Sequence, residues 1–428
     1  MDLHAALEAN PAARNVVAVV LFCCTYVLIA ARRLKWLPIG RPAGALLGAV
    51  AMVGLGVLTP KQSYAAINQD TIALLLGMML ITAYLDEAAF FEWIVGRFLA
   101  WCSTPWQLLV LVSALSAGLS AFLVNDTVCL FMTPVVVLTC TRAKLPMGPF
   151  LIALATSSNI GSAATLVGNP QNMIIAGLSK LPFLRFLAVA GPAAAVGLLV
   201  NVGLLWLYYG RRLAARLEVE PAPAAKGEGR DPAKLRRVLL VVGLVVLGFL
   251  ANCDLGYTTL AGACALMVLD RVEPRRAFER VDWTLLVFFC GLFVVVAGLE
   301  RTGFVERVWT AARPNLDLGT TAGLDLFAAL VVVGSNLVSN VPLVLLTGPY
   351  LEGLGAPPVL AWSALAFVST IAGNLTLIGS VANIIVAEGA KEHYTLGFVE
   401  YLRFGLVSTL LVLAAGLPVL VLAARLVG

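Results

Sequence analysis

The chain has 428 residues, of which 60% are hydrophobic and 12% charged, and its 29 Lys and Arg against 24 Asp and Glu leave a net charge of +5. An average soluble domain is roughly 45–50% apolar and about 25% charged. The composition therefore excludes a soluble enzyme, a nucleic-acid binder and a disordered chain: the charges lie in short runs between apolar stretches, where a basic excess orients a membrane protein rather than binding phosphate. Eight scattered cysteines and two histidines make no CxxC pair and no His cluster, so neither a zinc site nor a disulfide framework is expected. No nucleophile–base pair supports an enzyme.

Hydrocarbon about 30 Å thick takes ~20 helical residues to cross. The first crossing is predicted at 15–31; it follows the weakly charged MDLHAALEANPAARN and is long enough to stay in the membrane rather than be cleaved as a signal peptide. Crossings at 42–58 and 71–85 follow, then an interrupted apolar region at 106–140, then crossings at 148–178 and 187–209. Residues 210–237, rich in Pro, Ala, Gly and charge, read as a solvated linker. The order then repeats with crossings at 238–251, 258–269 and 284–299, an interrupted region at 319–351, and crossings at 360–387 and 404–424. The second arm of each interrupted region is too short to span, so both are expected to be re-entrant hairpins. The predicted organisation is an N-terminal membrane unit, 1–209, a cytoplasmic linker, 210–237, and a C-terminal membrane unit, 238–428.

With the N-terminus outside, 21 Lys and Arg fall on the cytoplasmic side and 8 on the other, Lys180 and Arg185 among the latter. This asymmetry places both termini outside.

The two halves are related. A shift of 214 residues lays GMMLITAYLDEAAFFE (77–92) over GLFVVVAGLERTGFVE (291–306), matching Leu85 with Leu299 and setting the acidic Asp86 on Glu300. TLVGNPQNMIIA (165–176) matches TLIGSVANIIVA (376–387) at six of twelve positions, and Asn125 to Pro134 repeats as Asn340 to Pro349. An internal duplication whose second copy enters the membrane with opposite polarity, with breaks at matching positions, is the mark of a secondary transporter with alternating access. The expected fold is an all-α polytopic membrane protein with two inverted-topology repeats, each of five transmembrane helices plus one re-entrant hairpin, and with a broken helix in each repeat.

Two constellations can carry transport. The first is the hairpin tip SAFLVNDTVCLFMTP, with Asn125, Asp126 and Thr127, whose mate SNLVSNVPLV offers Asn340 and no carboxylate. Polar turns persist at depth only where protein or a water-filled cavity satisfies them. Asp126 is the one carboxylate placed well inside the membrane and is the expected carrier of the coupling proton, its charge stabilised by backbone N–H groups, Asn125 and Asn159; its plainer role is to cap the following helix. The second constellation is the broken crossing ATSSNIGSAATLVGNPQN, with Ser158, Asn159, Gly168, Asn169 and Asn172, and its mate IAGNLTLIGSVAN, with Asn374, Thr376, Gly379 and Asn383. Half-helix ends at such a break present N–H groups to an anion and carbonyls to a cation. For any single Ser or Thr, helix–helix hydrogen bonding is the simpler role. Asp86, Glu87, Glu92, Glu300 and Glu306 read as membrane-interface residues, and Cys129 as a small buried hydrophobe rather than a required ligand.

Through LVNDTVCLFMTP, SSNIGSAATLVGNPQN, VDWTLLVFF, SNLVSNVPLV and AGNLTLIGSVAN the chain resembles the ion transporter superfamily: arsenite efflux permeases of the ArsB type, YbiR-type anion permeases, the P-protein group and, more distantly, the sodium-coupled dicarboxylate symporters. The resemblance spans nearly the whole chain. It implies a scaffold of outer helices around a transport region of two hairpins and two unwound helices, with binding positions at Asn125, Asp126, Thr127 and Asn340 and at Ser158, Asn159, Gly168, Asn169, Asn374, Thr376 and Gly379. The symporters carry Ser-Asn-Thr in both halves, whereas this chain reads Ser158-Asn159-Ile160 and Gly373-Asn374-Leu375.

The expected function is proton-coupled efflux of arsenite or antimonite, hence arsenical resistance, in a bacterial inner membrane, because a neutral trihydroxy acid needs amide and hydroxyl partners rather than fixed cations. A sodium- or proton-coupled permease for an organic or inorganic anion is the alternative. A channel would conduct without a coupling ion. No cofactor, metal or nucleic acid is expected; the coupling ion is a proton, with sodium open, and the partners are the substrate and the bilayer, with a homodimer open.

Overall fold

The computed structural model describes residues 10–30, 40–99, 102–213, 231–270 and 274–427, and among them the regular structure is helical, without strands. The predicted linker lies largely outside the described residues, as do residues 31–39. The chain is a multi-pass membrane protein: seven of its described helices are long and apolar enough to cross a bilayer, and large side chains such as Leu199, Leu207, Val268, Leu337 and Leu426 are left exposed around the outside.

The first repeat begins with α1 (Pro11–Ala30), α2 (Arg41–Gly54), the short α3 (Pro60–Ala66) and α4 (Gln69–Glu87), followed by α5 (Phe90–Leu99). A hairpin of α6 (Pro105–Phe122) and α7 (Asn125–Arg142) precedes α8 (Met147–Ser162), α9 (Pro170–Ser179) and the long α10 (Phe183–Tyr209). The second repeat runs through α11 (Pro232–Leu250), α12 (Leu255–Asp270), α13 (Arg275–Glu279), α14 (Trp283–Glu300) and α15 (Phe304–Ala312). Its hairpin is α16 (Thr321–Val338) and α17 (Asn340–Thr347), its broken helix α18 (Pro358–Ala372) and α19 (Val381–Gly389), and it closes with α20 (Phe398–Val427).

Local chemistry explains where these helices start. Thr59 and Thr104 each form a reciprocal capping box, with Gln62 and Gln107 respectively, ahead of a proline in the first turn. Asn68 caps α4 through Thr71 N, and Asn169 caps α9 through Asn172 N, both at 2.9 Å.

The duplication is visible in packing. Gly77 on α4 lies against Thr259 of α12, where an added Cβ would come within 2.9 Å of the Leu260 nitrogen. Shifted by 214 residues, the same crossing recurs as Gly291 on α14 against Ala45 of α2, with backbone atoms 2.8 Å from where a Cβ would stand. The two contacts exchange repeats, as a pseudo-twofold axis requires. At Gly291 the partner is backbone, which cannot rotate away, and at Gly77 it is Thr259 Cβ together with the Leu260 nitrogen, which are as fixed.

One expectation is corrected. The second arm of the first hairpin is not too short to span: α7 runs 18 residues, as long as α6, with Pro134 inside it. Pro134, on the exposed side of α7, removes one backbone donor without ending the helix. In the second hairpin the expectation holds, since α17 is 8 residues long and passes into a single 3-10 turn.

Charged clusters mark the two ends of the molecule. At one end Lys234 bridges Glu87 at 3.0 Å and Asp270 at 2.8 Å, while Arg280 pairs with Asp86. At the opposite end Lys180 pairs with Asp70, and Arg301 bonds to Gln62.

Candidate transport site

The hairpin tips and helix breaks converge in the interior. Between α8 and α9 the chain unwinds over 163–169, and between α18 and α19 over 373–380, each following a helix whose residues are almost all buried. In the first tip, Asn125 donates its backbone N–H to Gly168 O at 2.9 Å, clamping the hairpin onto the break. Gly168 has no room for a side chain: a Cβ would stand 2.7 Å from Ser162 Cα and 2.8 Å from Ser120 O.

Asn159, fully enclosed in α8, is the hub. Its Oδ1 accepts from Asn125 Nδ2 at 3.0 Å and from Ser380 Oγ at 3.1 Å, and its Nδ2 donates to Asn374 Oδ1 at 2.8 Å and Asn383 Oδ1 at 3.0 Å. The amide of Asn374 continues to Thr156 O at 3.2 Å. One side chain thus joins the first hairpin tip, the second break and the second half-helix, in surroundings where unmade hydrogen bonds are costly.

The breaks are braced identically. Asn172 Nδ2 donates to Ser162 O and Thr165 O at 3.2 and 2.8 Å; 211 residues later, Asn383 Nδ2 donates to Gly373 O and Thr376 O at 2.8 and 3.0 Å. By the same shift Asn159 corresponds to Thr370 and Asn169 to Ser380. The cross-contacts obey it: Asn169 Nδ2 donates to Thr370 Oγ1 at 3.2 Å, and Ser380 Oγ to Asn159 Oδ1. The structural mate of Asn159 is therefore Thr370, in Val368-Ser369-Thr370, rather than Asn374.

The remaining candidates fall into place unevenly. Ser158 Oγ bonds Ser120 Oγ at 2.8 Å. Gly379 packs where a Cβ would meet Gly373 O at 2.9 Å, and Thr376 Oγ1 donates to Asn336 Oδ1 at 3.3 Å. Asn340 is buried at the second tip, facing Gly373. Thr127 is half-buried on the first turn of α7. Asp126, also half-buried, does not bond to Asn125 or Asn159, which bond to each other instead, and no side-chain hydrogen bond caps α7 at Val124. The charged groups acting on Asp126 are Asp282 and Arg41.

Three acceptors at this site have no donor among the described residues. Asn125 Oδ1 and Asn340 Oδ1, at equivalent positions on the two tips, are buried without a hydrogen-bond partner, as is Asn172 Oδ1. The side-chain partners of the amides named above are other amides and hydroxyls. Sequence reasoning passed over Ser120, Gln171, Thr370, Asn336, Asn201 and Tyr401. Asn201 was findable as a lone amide in an apolar helix: it donates to Thr156 and Ser157 and accepts from Ser408 at 2.7 Å, tying α10, α8 and α20 together. Gln171 and Thr370 bond each other at 3.2 Å across the repeats, a contact no local pattern announces.

A family model described as citrate transporter matches residues 26–372, most of the chain. The chain belongs to the citrate transporter family. Two relatives of this family member are similar over almost their full lengths: a Dictyostelium discoideum protein provisionally named as transporter arsB, 32% identical over 97% of this chain and 94% of its own, and a silicon efflux transporter of Oryza sativa subsp. japonica, 34% identical over 94% and 96%. Among solved structures, MtrF of Neisseria gonorrhoeae, from a class of antimetabolite efflux pumps, superposes with a TM-score of 0.58 at 12% identity over 95% of this chain and 94% of MtrF. The YdaH transporter of Alcanivorax borkumensis gives 0.55 at 16% identity over 97% and 98%. The fold of this citrate transporter family member is thus the inverted-repeat architecture of membrane transporters, and the chain is a secondary transporter of the citrate and arsB type.

Proposed function

We propose that the chain exports small neutral hydroxy acids, arsenous and antimonous acid foremost, in exchange for protons, by alternating access around the paired breaks. The reading is carried by the two buried tip oxygens, Asn125 Oδ1 and Asn340 Oδ1, which lack donors while the neighbouring amide N–H groups are already engaged. A protonated acid brings O–H donors to such acceptors; a carboxylate brings none. The amide and hydroxyl cluster balances no negative charge, which suits a neutral substrate. The silicon efflux relative handles an element whose acid is of the same polyhydroxy kind. Asn125, Asp126, Thr127, Ser158, Asn159, Gly168, Asn169, Asn172, Asn340, Asn374, Thr376, Gly379 and Asn383 form the binding region, with Asp126 as proton carrier. The end bearing Lys234 faces the cytoplasm of a bacterial cell, both termini lie outside the inner membrane, and 1–209 and 238–428 act as the two repeats about the linker.

Everted vesicles test this with arsenite, antimonite and citrate, each under an imposed proton or sodium gradient. Arsenite accumulation driven by an acid lumen, abolished by a protonophore and lost in Asp126→Asn, is expected. A second reading, an anion permease, is favoured by the citrate transporter family match; citrate accumulation, or drive by sodium alone, would establish it and overturn the first.

A further inference from the structure

The duplication breaks at one place where the repeats should match. At the end of α4, Asp86 is held by Arg280 and Glu87 by Lys234 at 3.0 Å. The 214-residue shift carries Asp86 to Glu300, at the end of α14, and Arg280 to Ala66, at the end of α3. The acid is kept and its cation is gone. Glu300 and Ala66 line one open cleft of about 460 Å3 at the Lys180 end of the molecule, and among the described residues the Glu300 carboxylate makes no hydrogen bond or ion pair.

The cleft lies on a seam. Asn68, Phe293 and Val296 border it from the outer helices, while Leu178 at the end of α9 and Leu345 and Pro349 after the second hairpin tip border it from the transport region. The charged groups at this end include Arg14 of α1, whose neighbour Asn15 bonds Thr302 O, and Arg307 of α15, which faces Gly303. Asp70 shares the cleft but is paired with Lys180; the Arg301 guanidinium is on Gln62; Glu306 of α15 and Glu300 both act on Tyr350, in the turn after α17. Lys61 and Tyr64 of α3 are not part of the cleft lining.

We propose that Glu300 is the proton-loading site of the outward face: a carboxylate freed from the cation that locks its mate, which takes a proton from hydronium in the cleft onto a carboxyl oxygen and releases it when the transport region moves past. This rests on the proton-antiport reading and on the Lys180 end facing outward. A group that must gain and lose a proton cannot be held in a permanent ion pair, since a neighbouring cation favours the charged form. Asp86 and Glu87 are so held, and Glu300 is not.

The test is arsenite efflux from right-side-out vesicles at fixed inner pH while the outer pH is stepped from acid to neutral. Wild-type efflux should rise as the outer solution is acidified. E300Q should lose that response, E300D should retain it, and A66R, which restores the missing cation, should displace it to lower pH. A wild-type response preserved in E300Q, or unmoved in A66R, overturns the assignment of Glu300 while leaving proton coupling standing. A wild type without any outer-pH response overturns both, so the two failures are distinguishable.

Discussion

Asn159 makes four side-chain hydrogen bonds to four residues on three other elements. Truncating it leaves Asn125, Ser380, Asn374 and Asn383 each short of a partner, and a buried polar group left unpaired costs about 1–3 kcal/mol. Asn159→Ala is therefore expected to lower the stability of the purified protein by at least about 2 kcal/mol, even with water entering the gap. Asn159→Asp is the sharper variant: it keeps the shape and the two accepted bonds but removes both donated ones, and it adds a charge among amides. Thermal unfolding in detergent, read beside vesicle uptake, should show both variants inactive. An Asn159→Asp protein with wild-type unfolding and uptake would mean that the hub is dispensable. The importance of Asn159 was legible in SSNIG, but its partners were not. Three of them lie more than 200 positions away, and a side chain's reach across such a separation is a tertiary fact.

At the scale of elements, each break is held by one amide that satisfies two carbonyls freed by unwinding. Unwound backbone inside a membrane survives only where such partners exist. Because Asn172 and Asn383 do this in the same geometry, Asn172→Ala should cost about 2–4 kcal/mol from two orphaned carbonyls, and Asn383→Ala at least as much because its Oδ1 also accepts from Asn159 Nδ2, measured as paired shifts in thermal unfolding. A large loss for one and none for the other would show that only one break is structural. Sequence located both breaks, through Gly, Pro and Asn, but paired Asn159 with Asn374 by their common Asn. The hydrogen bonds pair Asn159 with Thr370. The second hairpin tip was also only partly legible. Its turn is a single residue, Ser339, at φ 75 and ψ 157, a region nearly reserved for glycine and one a reader of the sequence would not assign to serine.

For the whole molecule, the proposed topology is argued from charge. The proposed orientation, with 210–237 in the cytoplasm and both termini outside, rests on the basic asymmetry of the sequence. The ion pairs agree with a two-ended molecule: Lys234, Arg280, Glu87 and Asp86 cluster at one end, and Lys180, Asp70, Arg301 and Gln62 at the other. Single cysteines introduced into a protein freed of its native ones, as Glu228→Cys and Asp2→Cys, decide the orientation. An impermeant thiol reagent applied to intact cells should label the second and spare the first. Labelling at position 228 would invert the molecule, and with it the side on which Glu300 meets solution.

By itself the sequence determined that this is an all-helical membrane transporter of duplicated, inverted design. Hydropathy, basic-residue placement and repeated Asn, Gly and Pro are local properties written in chain order, and the bilayer's demand for satisfied backbone leaves few ways to use them. Only the tertiary structure decided which amides meet, that Asp126 stands apart from Asn125 and Asn159, and that Glu300, among the described residues, lacks the cation its mate holds. Those outcomes depend on contacts between repeats, where a hydrogen bond is gained or lost over a fraction of an ångström that no spacing along the chain records.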